Sequence, residues 1–144
     1  MPEPKKKAFF SLINSEIDQF AVFPENYSPK EEEEFNIQST LNFRYDQTKS
    51  DIACSCGVNC FMDEKIIVKC EVTMTYKMTI QTMKDFKGNG ELNIPKDILV
   101  FFANTTYNSL RGVILAKLSN TQIRLLLPLI NLNDIIKEPL KIVE

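Results

Sequence analysis

Four cysteines are the residues with the most chemistry to offer. Cys54, Cys56 and Cys60 fall within seven residues of the stretch DIACSCGVNC, and Cys70 follows ten positions later. Thiolates in such a cluster can hold a metal, pair as disulfides or act as nucleophiles. The spacing Cys-x-Cys-x3-Cys-x9-Cys lacks the tight CxxC turns by which zinc knuckles wrap an ion. On an extended strand, residues two apart on one face lie about 6.6 to 7 Å from each other. Adjacent thiolates around a tetrahedral zinc lie only about 3.8 Å apart, given bonds near 2.3 Å. The cysteines therefore read as small core hydrophobes, with a thiolate metal centre as the competing reading. No other catalytic apparatus is visible. The chain has no histidine, which removes the usual general base and the commonest metal ligand. Its four glycines form no phosphate-cradling loop, and its carboxylates gather in the run Glu31 to Glu34 or on polar strand faces. A protein without enzymatic activity, cofactor or resident metal is expected.

Composition narrows the class further. A chain of 144 residues and 16.6 kDa is read as a single domain over 1–144, able to bury about two-thirds of its unfolded surface without staples. A formal net charge of -2 and a pI of 5.3 give no basic footprint for nucleic acid. The amino terminus MPEPKKKAFFSL carries lysines at 5–7, but no continuous apolar stretch and no small-residue cleavage site follow. A cytoplasmic location with reduced cysteines is therefore expected. The most apolar segment, Ile98 to Leu118, is interrupted by Asn104, Thr105, Thr106, Asn108, Ser109 and Arg111, which argues against membrane insertion.

The elements that must position these residues follow from periodicity. Phe35, Ile37, Leu41, Phe43 and Tyr45 alternate with polar neighbours, a period of two that predicts a strand with one wet face. Asp46 to Ser50 reads as a hairpin connection. The next strand places Ile52, Cys54, Cys56, Val58, Cys60 and Met62 on one face. A third strand does the same with Ile66, Val68, Cys70, Val72, Met74, Tyr76, Met78 and Ile80. An earlier segment, Ala8 to Phe23, changes phase midway, as a bulged strand would. The Pro-containing, acidic linker PENYSPKEEEE reads as a solvated loop. An antiparallel meander is the simplest arrangement of the four strands.

Beyond the turn Gly88-Asn89-Gly90, spacings of three and four take over. Asn93 is expected to cap a helix, with Pro95 and Asp97 in its first turn and Ser119-Asn120 at its end. The helix is apolar on most sides, and one sheet covers only one of them. Phe101, Phe102, Leu110 and Ile114 are therefore expected to meet a second copy of the chain. In the tail QIRLLLPLINLNDIIKEPLKIVE, Pro128 forces an extended or looped connector from Leu125 to Ile130. A short helix capped by Asn131 or Asn133 follows, ending before Pro139. The fold class is α+β: a four-stranded antiparallel sheet, a long helix, an apolar connector and a short second helix.

At this point a family resemblance emerges. LLLPLINLNDII resembles the LxLxPVNFDxL signature of the SecB export chaperones, with Asn131 as its best anchor. IPKDILVFFANTTYNSLRGV resembles the start of that family's long helix, VKCEVTMTYKMT one of its sheet strands, and FSLINSEIDQF its opening strand. The matches keep their order along nearly the whole chain. The resemblance implies an ATP-independent holdase, a homotetramer built as a dimer of dimers, that binds unfolded or precursor polypeptides for protein export. Its client groove would use Phe43, Tyr107, Leu125, Leu126, Leu127, Leu129, Ile130, Leu132 and Ile135. Glu71 corresponds to an acidic position that docks the translocase motor, although Lys69 flanks it here. The alternative is a dedicated interaction or apolar-ligand module, such as a SecB-like chaperone attached to a toxin–antitoxin pair.

Overall fold

Each alternating segment becomes a strand because one of its faces is apolar and the other polar. The computed structural model describes residues 10–29, 35–88 and 90–143. The acidic run Glu31 to Glu34 and Lys5 to Lys7 lie outside the described residues. Strands β1 (Phe10–Val22), β2 (Asn36–Asp46), β3 (Asp51–Met62) and β4 (Lys65–Met78) form one antiparallel sheet in the order β1-β4-β3-β2. The meander expectation is corrected here: β2, β3 and β4 follow one another through hairpins, but β1 crosses over to pair with β4. Alternation assigns faces and says nothing of neighbours, and the long connection after β1 allows the crossing. The phase change in β1 is real. Its pairing slips between Leu12 and Asn14 and again between Ile17 and Gln19.

Turn chemistry joins the strands. In the β2–β3 hairpin the Asp46 carboxylate accepts from the Thr48 and Lys49 amides at 3.0 and 3.2 Å. Between β3 and β4, Asp63 and Glu64 both take the left-handed conformation, φ 51° and 66°, that a two-residue type I′ turn requires. The last strand stops two residues short of Ile80. Thr79 instead caps a seven-residue helix, α1 (Ile80–Phe86), through a 3.2 Å bond from the Thr82 amide to its hydroxyl.

A second, small sheet follows, which periodicity did not announce. β5 (Lys87–Gly88), β6 (Glu91–Ile94) and the C-terminal β7 (Leu140–Val143) pair antiparallel. Asn93, expected as a helix cap, lies in β6 opposite Lys141. Pro95 takes the cap position of α2 (Lys96–Leu118). The long helix lies on the apolar sheet face, where Phe102 stacks on Tyr76 with ring centroids 4.1 Å apart and Phe10 meets Phe102 edge-on.

The chain's own tail covers part of what the sheet leaves open on α2, while Phe101 and Leu115 stay exposed. Leu92 and Ile94 of β6, then Ile123, Leu125, Leu127, Leu132 and Ile136 of the tail, join the apolar cluster formed by sheet and helix. Phe102, Leu110 and Ile114, expected at a subunit interface, are therefore buried inside one protomer. Of that expected set only Phe101 is open, at 51% exposure. The connector is extended as Pro128 demands, and it leads into a single helical turn, α3 (Leu132–Ile135), shorter than expected. Its cap is Asn131, whose side chain accepts from the Asn133 amide at 3.1 Å.

Candidate functional site

The connector is the most unusual segment of the surface. As an extended chain it sends successive side chains to opposite sides. Leu125 and Leu127 turn inward and are buried, whereas Leu126 and Leu129 are each 84% exposed. The backbone is strapped to α2 where the direction must be held: the Tyr107 hydroxyl donates to the Pro128 carbonyl at 2.7 Å. Burial pushes the Tyr107 phenol above its ordinary value, against the lowering charge of Arg111, so it remains a donor at neutral pH.

Beside this strap lies a cavity of about 230 Å³. The edge strand β2 supplies Ser39, Thr40 and Leu41, and β3 supplies Cys56 and Gly57. Tyr107 contributes from α2, Ile130 from the connector, and Leu132 and Ile135 from α3. Among the described residues no charged side chain lines it. A second hollow, of about 520 Å³, opens at the other end of the connector between Phe35, Leu115, Leu118, Ser119, Ile123, Arg124, Leu125 and Leu126. β2 walls the smaller hollow, Phe35 just before it walls the larger, and the connector borders both. They follow the β2 side of the sheet, where no other strand pairs among the described residues.

Of the residues expected to line a groove, Tyr107, Ile130, Leu132 and Ile135 come together in the smaller hollow. Leu125 and Leu126 line the larger one. Leu127 is buried beneath the connector and Leu129 projects outward. Phe43 faces Cys54 on the inner side of β2, packed against the core and outside both hollows. Glu71 sits half-buried on the opposite face of the sheet, across from Gly57. Sequence reasoning missed the contribution of Ser39, Thr40, Leu41, Phe35, Leu115 and Ile123. The only advance signal was that β2 and the connector both carry apolar residues beyond what one core face needs.

All four cysteines are buried free thiols on the inner sheet face. Cys54 and Cys56 share a hydrogen bond that holds the Cys54 thiol below its ordinary value, despite burial, and pushes Cys56 up. Burial raises Cys60 and Cys70 to about 11. Protonated and packed among Val58, Val68 and Val72, they serve as core, and Cys56 also floors the smaller hollow.

No known family model matches the chain, and no curated protein matches it in sequence. Among solved structures it is similar to the Mycobacterium tuberculosis SecB-like chaperone Rv1957 in complex with a ChAD peptide from the Rv1956 HigA1 antitoxin. That likeness covers 85% of this chain and 91% of the other, at 11% identity and a TM-score of 0.51. A Streptococcus agalactiae protein of unknown function is also similar, at 10% identity and a TM-score of 0.43 over 88% of this chain and all of that one. The fold is thus a divergent SecB-like one, as the order of motifs implied.

Proposed function

From a divergent SecB-like fold as premise, we propose that this protein is an ATP-independent holdase that binds extended apolar segments of unfolded polypeptides along the hollows beside β2. The observation that carries this reading is the split connector. Its inward leucines anchor it, and its outward ones, with Ile135 at 52% exposure, leave apolar surface next to an uncharged hollow. Such a surface fits apolar side chains without reading their order, and the free β2 edge offers backbone pairing.

The energetics favour several grooves acting together. Burying Leu126, Leu129 and Ile135 against a client contributes about 5 to 9 kcal/mol. Ordering the client costs about 2 to 5 kcal/mol of that. What remains corresponds to weak binding per segment, so firm holding calls for multivalency. A homotetramer, a dimer of dimers, supplies it. Phe101 on α2 and the exposed Leu12, Ile13 and Ile17 of β1 form the apolar surface best suited to assembly. The protein would act in the cytoplasm without catalysis, and Glu71 is the residue to engage a translocase motor if export is its task.

A second reading keeps the groove but restricts the client to one dedicated partner, such as an antitoxin. It is favoured by the peptide complex of the SecB-like chaperone Rv1957. Light scattering and an aggregation assay test the proposal. A tetrameric mass and near-stoichiometric protection of an unfolded model protein are expected, with protection lost in Ile135→Asp. A monomer that protects nothing overturns it, and saturable binding of one peptide with no general protection selects the second reading.

A further inference from the structure

The larger hollow differs from the smaller in one respect: a cation stands at its rim. Its floor is apolar and buried, made by Leu118, Ile123 and Leu125, with Phe35 and Leu115 as walls. Arg124 completes the lining, and its guanidinium is already fixed. Nη1 donates to the Thr121 carbonyl at 2.8 Å and to the Ile123 carbonyl at 3.4 Å. Both carbonyls belong to the adjacent bend, so holding the side chain there costs little further entropy on binding. An arginine has five N–H donors in a planar fork, and no carboxylate among the described residues bonds to this one. Its Nε and Nη2 donors remain for a ligand, the edge that suits a carboxylate in bidentate fashion. Among the described residues the cation of Arg124 lies on one side of Phe35, and Asp63 and Glu64 lie in the hollow on the other.

We propose that this hollow is an anchor site for an apolar side chain with a carboxylate next to it, and that it biases the chaperone toward clients whose apolar segments are flanked by Asp or Glu. The proposal rests on the peptide-binding reading above, and continuity supports a polypeptide as occupant. Leu125 and Leu126 belong both to this hollow and to the connector that leads to the smaller one. Phe35, just before β2 at one hollow, and Leu41 of β2 at the other lie six residues apart, about 20 Å of extended chain. An extended client whose neutral apolar anchor fills the smaller hollow thus presents a residue five or six positions away to Arg124.

The test uses the full chain and two dye-labelled peptides that differ only by Asp or Asn beside the second apolar anchor. Anisotropy titration is expected to give the Asp peptide a three- to five-fold tighter Kd, the size of an ion pair at a half-open rim. The ratio should shrink at high salt, fall to near one in Arg124→Gln, and survive in part in Arg124→Lys. Equal affinities in the unsubstituted protein, or the same ratio in Arg124→Gln, overturn the proposal. A second arm separates the pocket from the client reading: methyl signals of Leu118, Ile123 and Leu125 are followed as 3-phenylpropionate or its amide is added. An Arg124-dependent response to the carboxylate alone, with neither peptide bound, upholds the anion-tipped pocket and overturns its role in client selection.

Discussion

Replacing Tyr107 by Phe removes a single hydroxyl and tests whether the connector is held in place by one bond. The ring is buried and its apolar packing is kept by Phe, so the change isolates the 2.7 Å bond to the Pro128 carbonyl. Two magnitudes compete. A buried acceptor left without a partner costs about 1 to 3 kcal/mol, whereas an ordinary bond exchanged for water contributes about 0.5 to 1.5 kcal/mol. Pro128 is exposed, so its carbonyl regains a water and the lower range applies. About 1 kcal/mol corresponds to a five-fold change in the equilibrium between docked and undocked connector. Limited proteolysis reads this directly, since cleavage of the connector needs it undocked. Chymotryptic cleavage after Leu126 and Leu129 is expected to speed up about five-fold, with the sheet unaffected. Peptide affinity falls by a smaller factor, because only the docked fraction binds. Cleavage unchanged in the connector, or speeded equally everywhere, would show that the strap does not hold it.

Two further outcomes follow from burial. Leu110→Ala is expected to destabilise the protein by about 2 to 5 kcal/mol with its native mass unchanged, because Leu110 packs within one protomer. A native mass that falls in this variant alone would return Leu110 to an interface. Stability should also decline with pH between about 9 and 11. Folded Cys60 and Cys70 keep their protons up to about 11, while an unfolded thiol loses its proton near 9.0, so the stabilisation is complete below pH 9 and lost as pH rises through the folded value. Urea midpoints of the Cys60→Ala/Cys70→Ala double variant should decline less steeply over that range, and parallel curves would contradict the assignment.

Much of the fold was legible because the sheet wears a different chemistry on each face. Ile52 to Met62 and Val68 to Met78 alternate so regularly that the cysteines fell into place as core. Pro128 fixed the connector as extended for a purely steric reason. What stayed hidden was neighbourhood. Four-residue strands such as β6 and β7 are too short to show a period, and Asn93 has the chemistry of a cap whether or not a helix begins there. The helix residues Phe102, Leu110 and Ile114 were given to a second copy because α2 is apolar on most sides, yet all three are buried within the protomer, Phe102 against the sheet itself. Within LLLPLI no polar residue marks which leucine faces out, so nothing in the segment's composition separates the buried Leu125 and Leu127 from the exposed Leu126 and Leu129.

The two margins of the main sheet are built differently. β1 carries two bulges within its length, which break the regular row of backbone donors and acceptors and twist the strand away from a would-be neighbour. β2 pairs with β3 without interruption from Asn36 to Asp46, so it runs straight, and no strand among the described residues pairs with its other margin. A holdase of the kind proposed, presenting one receptive margin to unfolded chains, would risk stacking into filaments, margin to margin, with its own kind. Blunting β1 while leaving β2 straight would remove the second partner such growth requires, so strand addition would end in a capped complex instead of a polymer.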